Sequence, residues 1–169
     1  MASFEFVAII LTGLGLTASL VYYASVLRNT NKTQKTQMIF AIQGKRGTKE
    51  GLLRYVNVMK MEWQDFDDFN QKHGFDKNPE KYAEWYSFLT QFDDYGYMVK
   101  MGMLDLEFLY EINFPSLVKL WYKYKPIFVE RRMQEANSER EMFWFQYLAE
   151  ELERFAESKG VIIDYTKQT

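Results

Sequence analysis

The 169-residue sequence contains no cysteine, one histidine and three prolines. The missing cysteine excludes disulfides, thiolate nucleophiles and cysteine-ligated metal, and a transition-metal site would have one imidazole at most. No window shows sustained period-two alternation, so strands are not expected. Acidic and basic residues nearly balance, 23 against 21, and the net charge therefore indicates no class of partner.

One long uncharged run is present at residues 6–27, "FVAIILTGLGLTASLVYYASVL". As a helix it would be roughly 33 Å long, enough to cross a hydrocarbon core. The alternatives are a buried helix of a soluble domain and a cleaved signal peptide. The first usually carries a polar stripe and the second a basic n-region, and neither is present. The run predicts an uncleaved transmembrane anchor over residues 1–28.

The charges on either side of this run predict its orientation. Only Glu5 precedes it, whereas five cations follow it closely, namely Arg28, Lys32, Lys35, Lys45 and Arg46. Because positive residues remain cytoplasmic, we expect the N-terminus outside the plasma membrane and residues 29–169 in the cytoplasm. Tyr22 and Tyr23 suit an interfacial aromatic belt. Together with Arg28, Lys32 and Lys35 they form the predicted membrane interface.

Small residues recur along the run at steps of four, three and four, at Ala8, Thr12, Gly15 and Ser19. This spacing places them on one helix face, where a second transmembrane helix can approach closely. Small residues are also common in membrane spans generally. The stripe predicts contact with a membrane-protein partner or with another copy of the chain.

Apolar spacing after the run is helical, so we predict an all-α protein, with one transmembrane helix and a compact cytoplasmic bundle. The predicted parts are the anchor (1–28), a basic juxtamembrane stalk or linker (29–51), a helical domain (52–160) and a tail (161–169). Residues 29–43 extend or restart the first helix, and the glycines of 44–51 break it.

Within the domain, helices are predicted over residues 52–73 and 79–101, the second with Asn78 and Pro79 at its start and Gly102 at its end. A short helix from Asp105 to Ile112 precedes one that Pro115 opens. Pro126 lies inside that helix and predicts a kink or a break. Ser138 and Glu141 form a capping box for the last helix, which Gly160 ends.

The stretch "MEWQDFDDF" at residues 61–69 mixes rings with carboxylates and lies four positions before His73. Helical spacing separates the rings from an acidic face that contains Glu62, Asp65 and Asp68, as expected of a surface helix. The stretch lacks the residues of an EF-hand loop. We interpret the three acids as a docking surface at most, and His73 as a cation at the end of a helix. No catalytic, cofactor-binding or metal-binding residue is assigned.

Charge is distributed unevenly along the chain. Residues 28–60 hold eight basic and one acidic side chain, and residues 61–113 hold four basic and twelve acidic ones. The basic segment would be attracted to anionic headgroups. The acidic segment would face away from the membrane or pair with the basic segment. The alternative is that both are ordinary solvated faces.

Four segments resemble an uncharacterised family of membrane-anchored helical proteins found chiefly in archaea, including ammonia oxidisers, and in bacteria. They are "MEWQDFDDFNQKHG", "NPEKYAEWYSF", "YGYMVKMGMLD" and "YKPIFVERR…FWFQYLAEEL". The resemblance implies the architecture and a prokaryotic plasma membrane. The family has no established functional residues, so none is assigned here.

These observations favour a membrane-tethered helical interaction module without catalytic activity. The main alternative is a non-catalytic accessory subunit of a multi-subunit membrane enzyme complex. An enzyme of unrecognised type is a third hypothesis and depends on the acidic clusters alone. The inferred partners are the lipid bilayer and a membrane protein or a second copy, and no cofactor, nucleic acid or small-molecule substrate is inferred.

Overall fold

The computed structural model describes residues 2–134 and 139–161, and every helix or strand assigned within them is an α-helix. The helices are α1 (Ala2–Arg46), α2 (Lys49–Lys60), α3 (Phe66–His73), α4 (Pro79–Lys100), α5 (Leu106–Gln134) and α6 (Phe143–Ser158). The predicted all-α class, with one long apolar N-terminal helix and a helical remainder, is confirmed. Most of the predicted tail, residues 162–169, lies outside the described ranges.

The chain divides into two compact units, Met1–Gln43 and Gly44–Thr169. The first unit consists of α1 up to Gln43. The whole helix is continuous over 45 residues and is therefore about 68 Å long. Of the two predictions for residues 29–43, extension of the first helix is the one observed. The helix also continues through Gly44, so the break is limited to Gly47 and Thr48.

Aromatic side chains fill the core of the second unit. In it α4 packs against α6 and α2, α5 packs against α6, and α3 packs against both α4 and α5. The largest fully buried side chains are Trp85, Trp121, Tyr124, Phe69, Phe128 and Phe145. Such rings bury large apolar areas and dominate the energetics of a core.

Capping residues explain where several of these helices begin and end. The Asn78 side chain accepts the Lys81 N–H at 3.2 Å and Pro79 follows at the first helical position, as predicted. Gly102 and Gly160 have φ values of 67° and 77° after α4 and α6. Glycine adopts this left-handed conformation without steric cost, which suits it to the end of a helix.

The predicted division of residues 105–134 is wrong, because α5 is one helix that contains both Pro115 and Pro126. Each proline removes one backbone donor. Pro126 and Tyr122, whose carbonyl loses its partner, both lie at the exposed surface, where water can satisfy that oxygen. For the predicted capping box before α6, Ser138 lies outside the described residues.

Candidate functional site

α1 contains the one candidate membrane span found in the part of the chain that the structure describes. By length and composition this helix can cross a bilayer. None of the residues in its most apolar part is buried. Leu14, Leu16 and Leu20 are among many large apolar side chains that α1 exposes. Exposed apolar side chains over such a length are costly in water and favourable in lipid.

The predicted small-residue stripe lies on exposed helix surface. Its hydroxyl groups bond to their own helix, because Thr12 Oγ1 donates to the Ala8 carbonyl at 2.8 Å and Ser19 Oγ donates to the Gly15 carbonyl at 2.8 Å. A Cβ added at Gly15 would meet nothing within 4 Å. The stripe is therefore open to a neighbour and leaves no hydroxyl donor unsatisfied, as a lipid environment requires.

The predicted interface residues lie on exposed or half-exposed helix surface after the stripe. The Tyr22 and Tyr23 rings are both exposed and meet edge to face, with centroids 5.8 Å apart. Arg28 and Lys32 are exposed and Lys35 is half-exposed. Their positions allow contact with headgroups.

The acidic stretch at residues 61–69 does not lie within a single helix. The predicted helix over 52–73 is wrong, since α2 ends at Lys60 and α3 begins at Phe66. Asp65 is the N-cap of α3 and its Oδ1 accepts the Asp68 N–H at 2.8 Å, while Asp68 Oδ2 accepts the Gln64 N–H at 2.9 Å. This reciprocal pair resembles a capping box. Two of the three predicted docking residues thus begin a helix.

The environment of Asp68 follows from these bonds. Hydrogen bonds from the Lys72 ammonium, at 2.7 Å, and from the Gln64 N–H lower the pKa of the Asp68 carboxyl. Glu62, the third predicted docking residue, is exposed in the segment between the helices. The structure does not bring the three acids together as one reactive group.

The rings of the same stretch enter the core. Phe69 is fully buried and meets Trp63 and Trp85 edge to face at centroid distances of 5.0 and 5.1 Å. Trp85 Nε1 also donates to the His73 carbonyl at 3.0 Å. The rings of this stretch thus belong to the core, while Asp65 and Asp68 cap α3.

His73 ends α3 as predicted, but its environment favours the neutral imidazole. Burial lowers the pKa of His73, and the nearby Lys72 and Lys81 act in the same direction. The Glu62 backbone acts in the opposite direction and raises the pKa, but burial has the larger effect. The expected cation at this position is therefore disfavoured.

Two residues of α5 hold the end of α2, and the sequence analysis missed both. Lys123 Nζ donates to the Met61 carbonyl at 2.7 Å and lies 4.6 Å from the centre of the Trp63 ring. The Tyr124 hydroxyl donates to the Val58 carbonyl at 2.8 Å. Burial lowers the pKa of Lys123 and raises that of Tyr124. A cation beside the carbonyls that end a helix is stabilising.

A carboxylate of α4 caps α6. Met142, the residue before α6, has a φ of 52° and makes no side-chain cap. Asp93 Oδ1 instead accepts the N–H groups of Trp144 and Phe145 at 2.8 and 2.9 Å. Burial raises the pKa of Asp93 against the effect of these two bonds. Asp93 thus caps a helix other than its own.

A half-buried polar network lies between α5 and the start of α6. Arg131 Nε bonds to Glu141 Oε2 at 2.9 Å, and their side chains are only 11% and 7% exposed. Arg132 donates to the Glu141 carbonyl at 2.8 Å and to Gln146 Oε1 at 2.7 Å. Buried charges usually need such partners. The network fixes the chain as it enters α6.

An open polar groove of about 730 Å³ lies beside α3. Its lining consists of Asp67, Asn70, Gln71, Gly74, Phe75, Asp76, Lys77, Tyr82 and Arg131. Phe75 is 65% exposed and meets the Tyr82 ring edge to face at 5.5 Å. Side chains of both charge signs and an exposed ring can contact a peptide, but they do not form an acid–base pair aimed at one point.

Within the ranges described, no three histidine, aspartate or glutamate side chains come together as a metal-binding group. Residues 4–157 match the family described as a domain of unknown function, DUF4760. This match includes the apolar part of α1 as well as α2 to α5 and nearly all of α6. No curated protein matches the chain, and no solved structure matches it.

Proposed function

The chain belongs to the DUF4760 family, a domain of unknown function, and from that premise we propose that it is a membrane-tethered helical interaction module. The single observation that carries the proposal is the unburied apolar run of α1. The family match begins at residue 4, so this helix is part of the shared domain and not an addition to it.

The proposed setting is a prokaryotic plasma membrane, as in the archaeal and bacterial proteins that the chain resembles. The N-terminus faces outside and the helical domain lies in the cytoplasm. The cations after the run support this orientation. Tyr22 and Tyr23 suit an aromatic belt, which forms at either membrane surface and therefore does not bear on the orientation. The module binds other proteins through exposed surface on α1 and through the groove beside α3.

The test is alkaline extraction of membranes from cells that produce the full chain. We expect the protein in the pellet, and recovery in the supernatant would contradict the proposal. Because the native chain has no cysteine, Ser3→Cys and Ser158→Cys each provide one labelling site for an impermeant maleimide. Ser3→Cys should label in intact cells and Ser158→Cys only after lysis. The reverse pattern would contradict the orientation.

The second candidate is an accessory subunit of a multi-subunit membrane complex. It is supported by the open small-residue stripe, where a Cβ added at Gly15 meets no atom. Extraction in mild detergent followed by size analysis separates the two candidates. A large assembly of fixed stoichiometry would favour the subunit.

A further inference from the structure

The groove beside α3 combines exposed carboxylates with an exposed aromatic ring. Asp67 of α3 and Asp76 of the turn that follows α3 both line it, and both are exposed. Neither takes part in an ion pair within the described residues. Phe75, also in the lining, is largely exposed and precedes Asp76 in the chain. Carboxylates beside an aromatic ring suit a cation, which they attract by charge while the ring face contacts it.

The cations of the groove do not balance these carboxylates. Arg131 Nε bonds to Glu141 Oε2 at 2.9 Å, so the charge of this guanidinium is already balanced within the fold. The same guanidinium lies 5.7 Å from the centre of the Tyr82 ring, at the groove wall. Among the described lining residues, Lys77 is then the one cation outside an ion pair. The accessible charge is that of two carboxylates against one ammonium group.

The acidic excess extends beyond the groove itself. Residues 61–80 hold six acidic side chains and two basic ones, Lys72 and Lys77. Lys72 is already bonded to Asp68 at 2.7 Å. A surface with one sign of charge attracts partners of the opposite sign and repels partners of the same sign. The complementary partner for this surface is therefore cationic.

We propose that the groove binds a lysine- or arginine-rich cytoplasmic segment of another membrane protein. The inference rests on the proposed function, because it takes the domain to be tethered at the cytoplasmic side of the membrane. Cytoplasmic loops of membrane proteins carry an excess of Lys and Arg, so the tethered domain encounters such segments. Asp67 and Asp76 accept the N–H groups of the cationic side chain, and Phe75 contacts its apolar stem.

The test measures binding of a fluorescent oligolysine peptide, by anisotropy, to the full-length protein in nanodiscs of zwitterionic lipid. This lipid has no net charge, so it does not compete for the peptide. We expect the double variant Asp67→Asn with Asp76→Asn to weaken binding several-fold, and Lys77→Gln to strengthen it. Phe75→Leu keeps an apolar side chain but removes the ring face, and it should also weaken binding. Equally tight binding of an oligoglutamate peptide would overturn the proposal.

The matched control is Asp94→Asn with Glu111→Gln, which removes the same charge from two exposed positions outside the groove. Asp94 lies twelve residues after Tyr82 in α4, and Glu111 lies twenty residues before Arg131 in α5, distances of about 18 and 30 Å. The control should bind oligolysine as the wild type does. Equal weakening by both double variants would mean that only total charge matters, and would contradict the proposal.

Further outcomes separate this proposal from the membrane anchor. If the protein pellets with membranes but the groove variants bind oligolysine like the wild type, the groove proposal fails and the anchor stands. Extraction of the chain by alkali would remove a membrane protein as the source of the cation, even if the groove variants still weaken binding. Tighter binding of a peptide with residues 28–46 than of oligolysine would assign the groove to the chain's own basic segment, and would overturn the assignment to another protein.

Discussion

Aspartates begin two helices of the domain in different ways. Asp65 caps its own helix at an exposed position, and Asp68 completes that cap with a pKa lowered by its hydrogen bonds. Asp93 caps α6 from α4 at a half-buried position, and burial raises its pKa. The comparison teaches that a local cap depends on neighbours in sequence, whereas a cap between helices depends on how closely the two helices approach.

The largest expected effect comes from a substitution that forces α4 and α6 apart. A Cβ at Gly96 would lie far inside van der Waals distance of the Trp144 carbonyl oxygen, and this oxygen is backbone that cannot rotate away. Gly96→Ala should therefore cost about 3 kcal/mol of unfolding free energy or more, measured by calorimetry of the full chain in detergent.

The control for this variant is Gly44→Ala, because a Cβ there meets nothing within 4 Å. It should leave stability unchanged or raise it, since alanine is the better helix former by about 1 kcal/mol. Wild-type stability in Gly96→Ala would show that α4 and α6 can separate without cost.

The two caps are compared directly by Asp93→Ala and Asp65→Ala. The first leaves two part-buried N–H groups without an acceptor and should cost about 2 kcal/mol. The second removes an exposed cap and should cost about 1 kcal/mol. Both values are read from denaturant unfolding of the domain in the full chain.

Asp93→Asn refines this comparison, because its amide oxygen can still accept while the buried charge is gone. It should lose less stability than Asp93→Ala. If Asp65→Ala proved the more costly of the two alanine variants, the distinction between local and interhelical caps would be wrong.

The smallest expected effect is the pH dependence of His73. Because burial lowers its pKa in the folded state, the unfolded chain binds a proton first as the pH falls. The stability contribution is fully present above the unfolded pKa near 6.5 and is lost as the pH falls through the lower folded value. Unfolding midpoints between pH 7.5 and 5 should therefore fall more in the wild type than in His73→Gln, and parallel curves would contradict this.

The sequence predicted features that depend on neighbouring residues. Asn78 and Pro79 begin α4 as expected, and Gly102 and Gly160 follow the ends of α4 and α6. The all-α class and the long apolar helix were also predictable, because hydrophobic spacing and length are local properties.

The sequence could not predict features that depend on distant contacts. The break between α2 and α3 depends on burial of Phe69 and on Lys123 and Tyr124, which lie more than fifty residues further along the chain. Pro126 lies inside α5 beside the exposed Tyr122, so water can satisfy the Tyr122 carbonyl that lost its donor, and this exposure is set by how α5 packs. Asp93 could be identified as a cap only once Trp144 was placed beside it.

The four tryptophans, Trp63, Trp85, Trp121 and Trp144, all lie in the second unit, and α1 contains none. Intrinsic indole fluorescence of these residues therefore arises from the helical domain alone, whatever surrounds α1. Lipid vesicles and detergent micelles contribute no indole emission. The domain can thus be followed optically in a bilayer, without truncation and without an added dye.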